Sequence, residues 1–210
     1  MASPPPDPHD RRQLERLNAF SDGVFAISIT LLVLAIEVPK VDADSLGAAL
    51  SELGPDIGAY FLGFAVIGLF WYGHSNMFSY LTRATGLLTV VNLMLLAMIS
   101  LMPFTTSVLG SFENEPLAVA IYAANVGGAT SLDSLVDQVA LRSNLYKEGA
   151  APDPTQLGIE GILRPTIFLL SVPLAFVSIT LAQLSWLLLF ATPQVAERLA
   201  RLRRKPDDPT

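Results

Sequence analysis

The stretch R16-LNA-F20-S21-D22-GVFAISITLLVLAIEV-P39 decides the fold, because a charged cluster runs without a break into an apolar segment long enough to cross a membrane. A bilayer core of about 30 Å needs about 20 mostly apolar helical residues. A carboxylate inside such a helix costs roughly 2.5 to 3.5 kcal/mol on insertion scales, so it persists mainly where it faces protein, water or an ion path. Asp22 therefore marks the first helix as the segment to which function attaches.

Composition agrees with a membrane-embedded chain. Of 210 residues, 51% are hydrophobic and only 15% charged, and the mean hydropathy is +0.48, more apolar than an ordinary soluble domain. The formal charge of -6 is carried mostly by connections and tails and says little about partners. With no cysteine, disulfides, thiolate chemistry and cysteine-zinc sites are excluded. The proline-rich start MASPPPDPHD lacks the basic-then-apolar form of a cleavable signal, so residues 1–15 read as a disordered cytoplasmic lead.

Six apolar stretches approach spanning length, at 17–38, 57–80, 86–109, 117–146, 162–181 and 183–200. The fourth is the most polar, with NVGGATSLDSLVDQVALRSN in its second half; five spans plus an interfacial helix is the alternative count. Arg11, Arg12 and Arg16 precede the first span, Arg83 follows the second, Arg142, Lys147 and Arg164 surround the connection after the fourth, and further basic residues close the chain. All fall on one side, with Lys40 the exception. Acidic residues at 42, 44, 52, 56, 113 and 115 fall on the other, so the positive-inside rule places both termini in the cytoplasm. The expected architecture is an all-α, polytopic cell-membrane protein: a six-helix domain over 16–204 and a cytoplasmic tail at 205–210. A short surface helix is expected in 39–55, and Pro103, Pro165, Pro173 and Pro193 should bend helices or mark their ends.

At about 100° per residue, Leu31, Leu34 and Val38 lie within about 40° of Ile27, with Thr30 on the flank of this stripe. Stripes of this kind usually pack on neighbouring helices or lipid. Asp22 falls on the opposite face with Ile29, turned toward its own subunit. The second span offers it partners in FWYGHSNMF, where Trp71, His74 and Asn76 carry an indole, an imidazole and an amide. Arg16 lies off the Asp22 face. Glu37 reads as a helix-end charge, or as one of several concentrating cations at a pore mouth.

R-x-x-x-F-S-D at Arg16, Phe20, Ser21 and Asp22, followed by a long apolar helix and by W-x-x-H at Trp71 and His74, resembles the TMEM175-type potassium channel family in its prokaryotic single-repeat form. The resemblance implies a homotetramer around a central pore lined by the first helix, with Ile27 as the narrowest hydrophobic ring and Leu31 and Leu34 as further rings. It implies a leak-like, potassium-permeable cation channel with no cofactor beyond the permeant potassium ions. No TVGYG filter occurs in the sequence, so selectivity through a ring of carbonyls is not expected. A proton- or cation-coupled secondary transporter using Asp22 and His74, and a scaffold in which the polar cluster only packs helices, are the alternatives.

Other polar groups carry less. Asp133 and Asp137 form an i, i+4 pair, but no metalloprotease or aspartyl-protease motif accompanies them, and enzymatic chemistry is not expected. RLARLRRK at 198–205 follows a span and reads as an orientation signal and a contact with anionic membrane lipid, not as a nucleic-acid patch.

Overall fold

In the computed structural model, residues 8–203 are described. They form helices α1 (Pro8–Leu31), α2 (Leu46–Glu52), α3 (Gly54–Ser79), α4 (Gly86–Ser111), α5 (Pro116–Arg142), α6 (Pro154–Ala175), α7 (Ile179–Ser185) and α8 (Thr192–Arg203). Short 3-10 turns extend α1 over Leu32–Ala35, precede α2 at Ala43–Ser45 and join α7 to α8 over Trp186–Ala191. The described residues contain no β-strand; one isolated bridge pairs Leu81 with Tyr146.

Several helix starts carry recognisable caps. Thr85 accepts from the Leu88 amide at α4, Ser178 from Leu181 at α7, and Asp153 from Thr155 and Gln156 at α6, where Pro154 occupies the first turn. Asp153 and Pro154 start α6 eight residues before the expected 162, because Gln156, Glu160 and Arg164 had masked the helix as connection. Conversely, α6 stops at Ala175, and the Ser178 cap moves the expected break at 182 to 176–178.

Packing runs in a sequence of layers. Helix α1 lies against α3 and α4, α5 packs against both α4 and α6, and α6 contacts α7 and α8, with α7 also touching α5. Small residues permit the close approaches. A Cβ on buried Gly63 of α3 would lie 2.9 Å from Thr106 of α4 and 3.0 Å from Leu32. At the α5–α6 contact, a Cβ on Gly127 would lie 2.9 Å from Leu169 Cδ2 and 3.3 Å from Phe168 Cβ. Trp186 ties the chain beyond α7 to the same region, donating to Ser171 Oγ at 3.0 Å and facing the rings of Tyr122 and Phe168.

The connections that follow α3 and α5 meet at one end of the molecule. Thr82 donates its amide to Leu145 O at 2.9 Å, Lys147 donates its amide to Tyr80 O at 2.8 Å, and Lys147 Nζ donates to Ser79 O at 2.6 Å. Helices α4 and α5 therefore run antiparallel between the same two ends. The Tyr146 hydroxyl in this connection is held protonated: burial and then the charges of Asp137 and Asp133 push its pKa up.

Four helical segments are long and apolar enough to cross a membrane: His9–Ala35, Gly54–Ser79, Gly86–Ser111 and Pro154–Ala175. A fifth is available if Ile179–Leu189 and Thr192–Leu202, bent by 57° relative to each other, form one broken span. The expected span at 183–200 is made of a helix, a 3-10 turn and a second helix, and Pro193, expected to bend a helix or mark its end, lies in the first turn of α8. Helix α5, the expected fourth span, has 27 residues but is not among the apolar candidates.

The lead also differs from expectation. Residues 8–15 are the first turns of α1, so the disordered reading of 1–15 does not hold there; 1–7 and the tail at 205–210 lie outside the described residues. The short outer helix is present as α2.

Gly127→Leu should destabilise the protein by about 1–3 kcal/mol, because the added side chain meets Leu169 and Phe168 at sub-contact distance. Thermal unfolding in detergent reads this as a lowered Tm, whereas Gly23→Ala, where no atom lies within 4 Å of the added Cβ, should leave Tm near wild type.

Candidate functional site

Helix α1 divides sharply into two faces. Leu17, Ser21, Phe25, Ser28 and Leu32, spaced by three or four residues, are buried against the protein's own helices. On the opposite side Ile27 is 60% exposed and Leu34 73%, and Leu31 and Val38 are exposed with them. The predicted stripe is therefore the face of α1 left uncovered by its own chain. Its outer part is less regular than a straight helix to 38 would give: Leu34 sits in the 3-10 turn, Ile36 is extended, and Glu37 and Val38 lie beyond it. Thr30, also exposed, donates its hydroxyl to Ile27 O at 2.8 Å.

The buried face is held by a polar clasp. Trp71 Nε1 of α3 donates to Asp22 Oδ1 at 2.9 Å, and Asn18 Nδ2 donates to Asp22 Oδ2 at 3.3 Å. Ser21 lies one residue back and enters a separate chain. His74 Nε2 is 2.7 Å from Asn92 Oδ1, Asn92 Nδ2 donates to Ser21 Oγ at 3.0 Å, and Ser21 Oγ donates to Leu17 O at 3.0 Å. The Asn92 amide oxygen can only accept, so His74 carries its proton on Nε2. Ser21 and Asn92 are fully buried and His74 is 1% exposed. The His74 ring stacks on Phe78 at 4.1 Å between centroids and lies 5.5 Å from Phe25. Three helices meet here through side chains, and the rotation of α1 is fixed by them.

Four expected members of this cluster are brought together: Ser21, Asp22, Trp71 and His74. Three are not. Asn76 is exposed, because two residues beyond His74 turn it about 200° around α3; its carbonyl accepts from Ser79 Oγ at 2.6 Å. Arg16 and Phe20 are also exposed, eleven and seven residues before Ile27 and hence on its face of α1 rather than in the clasp. Sequence reasoning missed Asn92, the link between His74 and Ser21. Its signal is a lone amide inside the otherwise apolar LLTVVNLMLLAMISL, the same argument that singled out Asp22.

The acidic pair on α5 belongs to a different region. Asp133 and Asp137 lie at the α5–α6 contact within electrostatic reach of Arg164, which is ion-paired with Glu160, itself an acceptor from Gln156 Nε2 at 2.9 Å. Among the described residues no group of three His, Cys, Asp or Glu side chains could hold a metal.

Helices of membrane-spanning length joined through buried side-chain hydrogen bonds define a multi-pass α-helical membrane protein. Comparisons make the class specific. The family model of the endosomal/lysosomal potassium channel TMEM175 matches residues 16–103. A potassium channel of Streptomyces collinus is 36% identical over 170 residues, which cover 78% of this chain and 82% of that one. The endosomal/lysosomal proton channel TMEM175 of Gallus gallus is 43% identical over 110 residues, 48% of this chain but 22% of that much longer protein. Among solved structures, a lysosomal potassium-selective channel TMEM175 homolog from Chamaesiphon minutus superposes with a TM-score of 0.73 at 26% identity, covering 88% of this chain and 98% of that one. The chain belongs to the TMEM175 family.

Asn92→Ala should cost about 1–3 kcal/mol by leaving the buried His74 Nε2 and Ser21 Oγ without their shared partner. Thermal unfolding of the purified variant checks the loss; Asn76→Ala, at an exposed position, should leave stability unchanged.

Proposed function

We propose that this chain forms a potassium-permeable, leak-like cation channel: a homotetramer with six spans per subunit, both termini cytoplasmic, and α1 lining the central pore. The observation that carries this reading is the division of α1. One face is committed to the clasp, and the other presents Ile27, Leu31 and Leu34 to whatever lies beyond the subunit. Relatives across most of the chain's length are named potassium channels, which favours a pore over lipid as what that face meets.

For six spans the support is geometric. Helix α5 runs antiparallel to α4, between the same two ends and at similar length, and α5 sits between α4 and α6. A helix shielded by protein on two sides does not need the lipid-compatible composition that hydropathy measures. Taken as one broken span, α7 to α8 returns the chain to the side from which it started.

Four copies of Ile27 around an axis offer a cation no charge and no carbonyl oxygen. Such a ring closes by dewetting and conducts when it widens enough to hold water. Leu31 and Leu34 form further rings outward, Thr30 and Val38 flank them, and Glu37 stands at the mouth. Asp22 and Ser21 act through position: with Trp71, His74 and Asn92 they aim Ile27 at the axis. A carrier working through Asp22 and His74 would need these groups free for a travelling ion or proton, whereas both are hydrogen-bonded within the clasp.

Single-channel recording in bilayers tests the reading. Wild-type protein should give unitary currents reversing near the potassium equilibrium potential, and Ile27→Asn should raise potassium flux above wild type by keeping the constriction wet, while Ile27→Leu should not. Saturable coupled flux without unitary currents would reject the channel. A crosslinked mass other than four subunits would reject the tetramer.

A further inference from the structure

We propose that the crevice between α6 and α8 binds one acyl chain of an anionic phospholipid, with Arg198 receiving the headgroup phosphate. The inference rests on the membrane-spanning reading but not on the identity of the permeant ion.

The crevice has a volume of about 500 Å³ and is lined by Pro154, Thr155, Gly158, Ile159, Ile162 and Leu163 of α6, with Leu199 of α8 as the opposing wall. Apart from the Thr155 hydroxyl its lining is apolar. Its floor is open because Gly158 has no side chain: a Cβ there would meet no atom within 4 Å. From Pro154 to Leu163 the crevice runs roughly 13 Å along α6, at a helical rise of 1.5 Å per residue. That is a slot for an extended hydrocarbon chain, beginning at the capped end of α6.

Helix α8 supplies the other half of the recognition. Thr192, Ala196 and Ala200, four residues apart, are buried, placing small side chains on the inner face. Val195, Leu199 and Leu202 are exposed beside them. Arg198 is exposed next to Leu199 on the side away from the buried face, and an arginine so placed can lay its aliphatic stem along apolar surface while its guanidinium stays in a polar environment. A guanidinium binds phosphate oxygens bidentately. Arg201 is ion-paired with Glu197 and Arg164 with Glu160, whereas Arg198 adjoins the lining residue Leu199 in sequence. An apolar slot beside a basic helix face fits an anionic lipid better than a neutral one.

The position of the crevice argues against a neighbouring subunit as occupant. Helix α1 packs on α3 and α4, whereas α8 packs on α6 and on the 3-10 turn before it. On the proposed reading with α1 at the axis, the crevice belongs to the lipid-facing rim.

The full-length protein in detergent, exchanged into mixed micelles of phosphatidylglycerol and phosphatidylcholine, tests this by native mass spectrometry of retained lipid. Wild type should retain phosphatidylglycerol in preference to phosphatidylcholine. Gly158→Leu, which fills the slot without a clash, should lower retention of both lipids roughly tenfold, the equivalent of two displaced methylenes. Arg198→Gln should lower phosphatidylglycerol retention about fivefold and leave phosphatidylcholine unchanged. Unchanged retention in Gly158→Leu, or no headgroup preference in wild type, would overturn the proposal. So would a Gly158→Leu variant whose assembly mass falls while its bound lipid does not, since a second copy would then cover the crevice. Selective lipid retention by a protein that passes no current would support the lipid site and reject only the pore.

Discussion

The structure depends on hydrogen bonds made where water is absent. A buried polar group without a partner loses about 1–3 kcal/mol, and inside a membrane the nearest alternative partner is another helix. Asp22 and Ser21 therefore constrain far more than their own positions. Asp22 needs a donor, found in Trp71; Ser21 joins His74 only through Asn92. The bonds arrive from α3 and α4, and together they leave one rotation of α1 in which all are made. Leu17, Phe25, Ser28 and Leu32 follow Ser21 inward at helical spacing, and Ile27 and Leu34 must follow the opposite face outward.

The same economy explains why α5 tolerates a composition that would not suit a lipid-facing helix. Thr130, Ser131 and Ser134 return their hydroxyls to carbonyls of their own helix, and Asn125 Nδ2 reaches across to Met98 O at 3.2 Å. Gly127 and Gly161 bring α6 close enough to exclude lipid from that side. Apolarity falls where protein replaces lipid as the surroundings. Asp133 and Asp137 sit toward the end of α5 where Tyr146, Glu160 and Arg164 gather, within electrostatic reach of an arginine that is itself paired with Glu160.

What could be read beforehand follows from the same physics. Long apolar runs announce α1, α3 and α4, and Arg and Lys placement gives a consistent orientation, because both signals report the boundary between lipid and water. The stripe on α1 was legible because rotation is arithmetic once a helix is granted. Asn76 was misplaced for want of the same arithmetic: Trp71 lies about 60° from His74 around the helix, whereas Asn76 lies about 200° away. The role of Asn92 was not legible from spacing, since it depends on a third helix whose approach is set by Gly63 and Thr106. Helix α5 and the bend before α8 were obscured for a different reason: hydropathy measures contact with lipid, and these segments answer to contact with protein.

The two ends of α1 are held by unlike forces, and on the proposed reading this bears on where a gate of this kind moves. Its first half is fixed by directional bonds at Ser21 and Asp22, and the Ser21 bonds are broken only by leaving a buried group unpaired. Beyond Leu31 the regular helix ends, and the 3-10 turn over Leu32–Ala35 is anchored by Leu32 packed near Gly63 and Thr106. Apolar packing is non-directional and tolerates sliding better than a hydrogen bond tolerates bending. Ile27 lies between these regimes, close enough to the clasp to keep its rotation and close enough to the turn to be displaced with it. Widening a ring of four such residues then requires tilting the outer part of α1 about a fixed inner part, with no bond in the clasp broken.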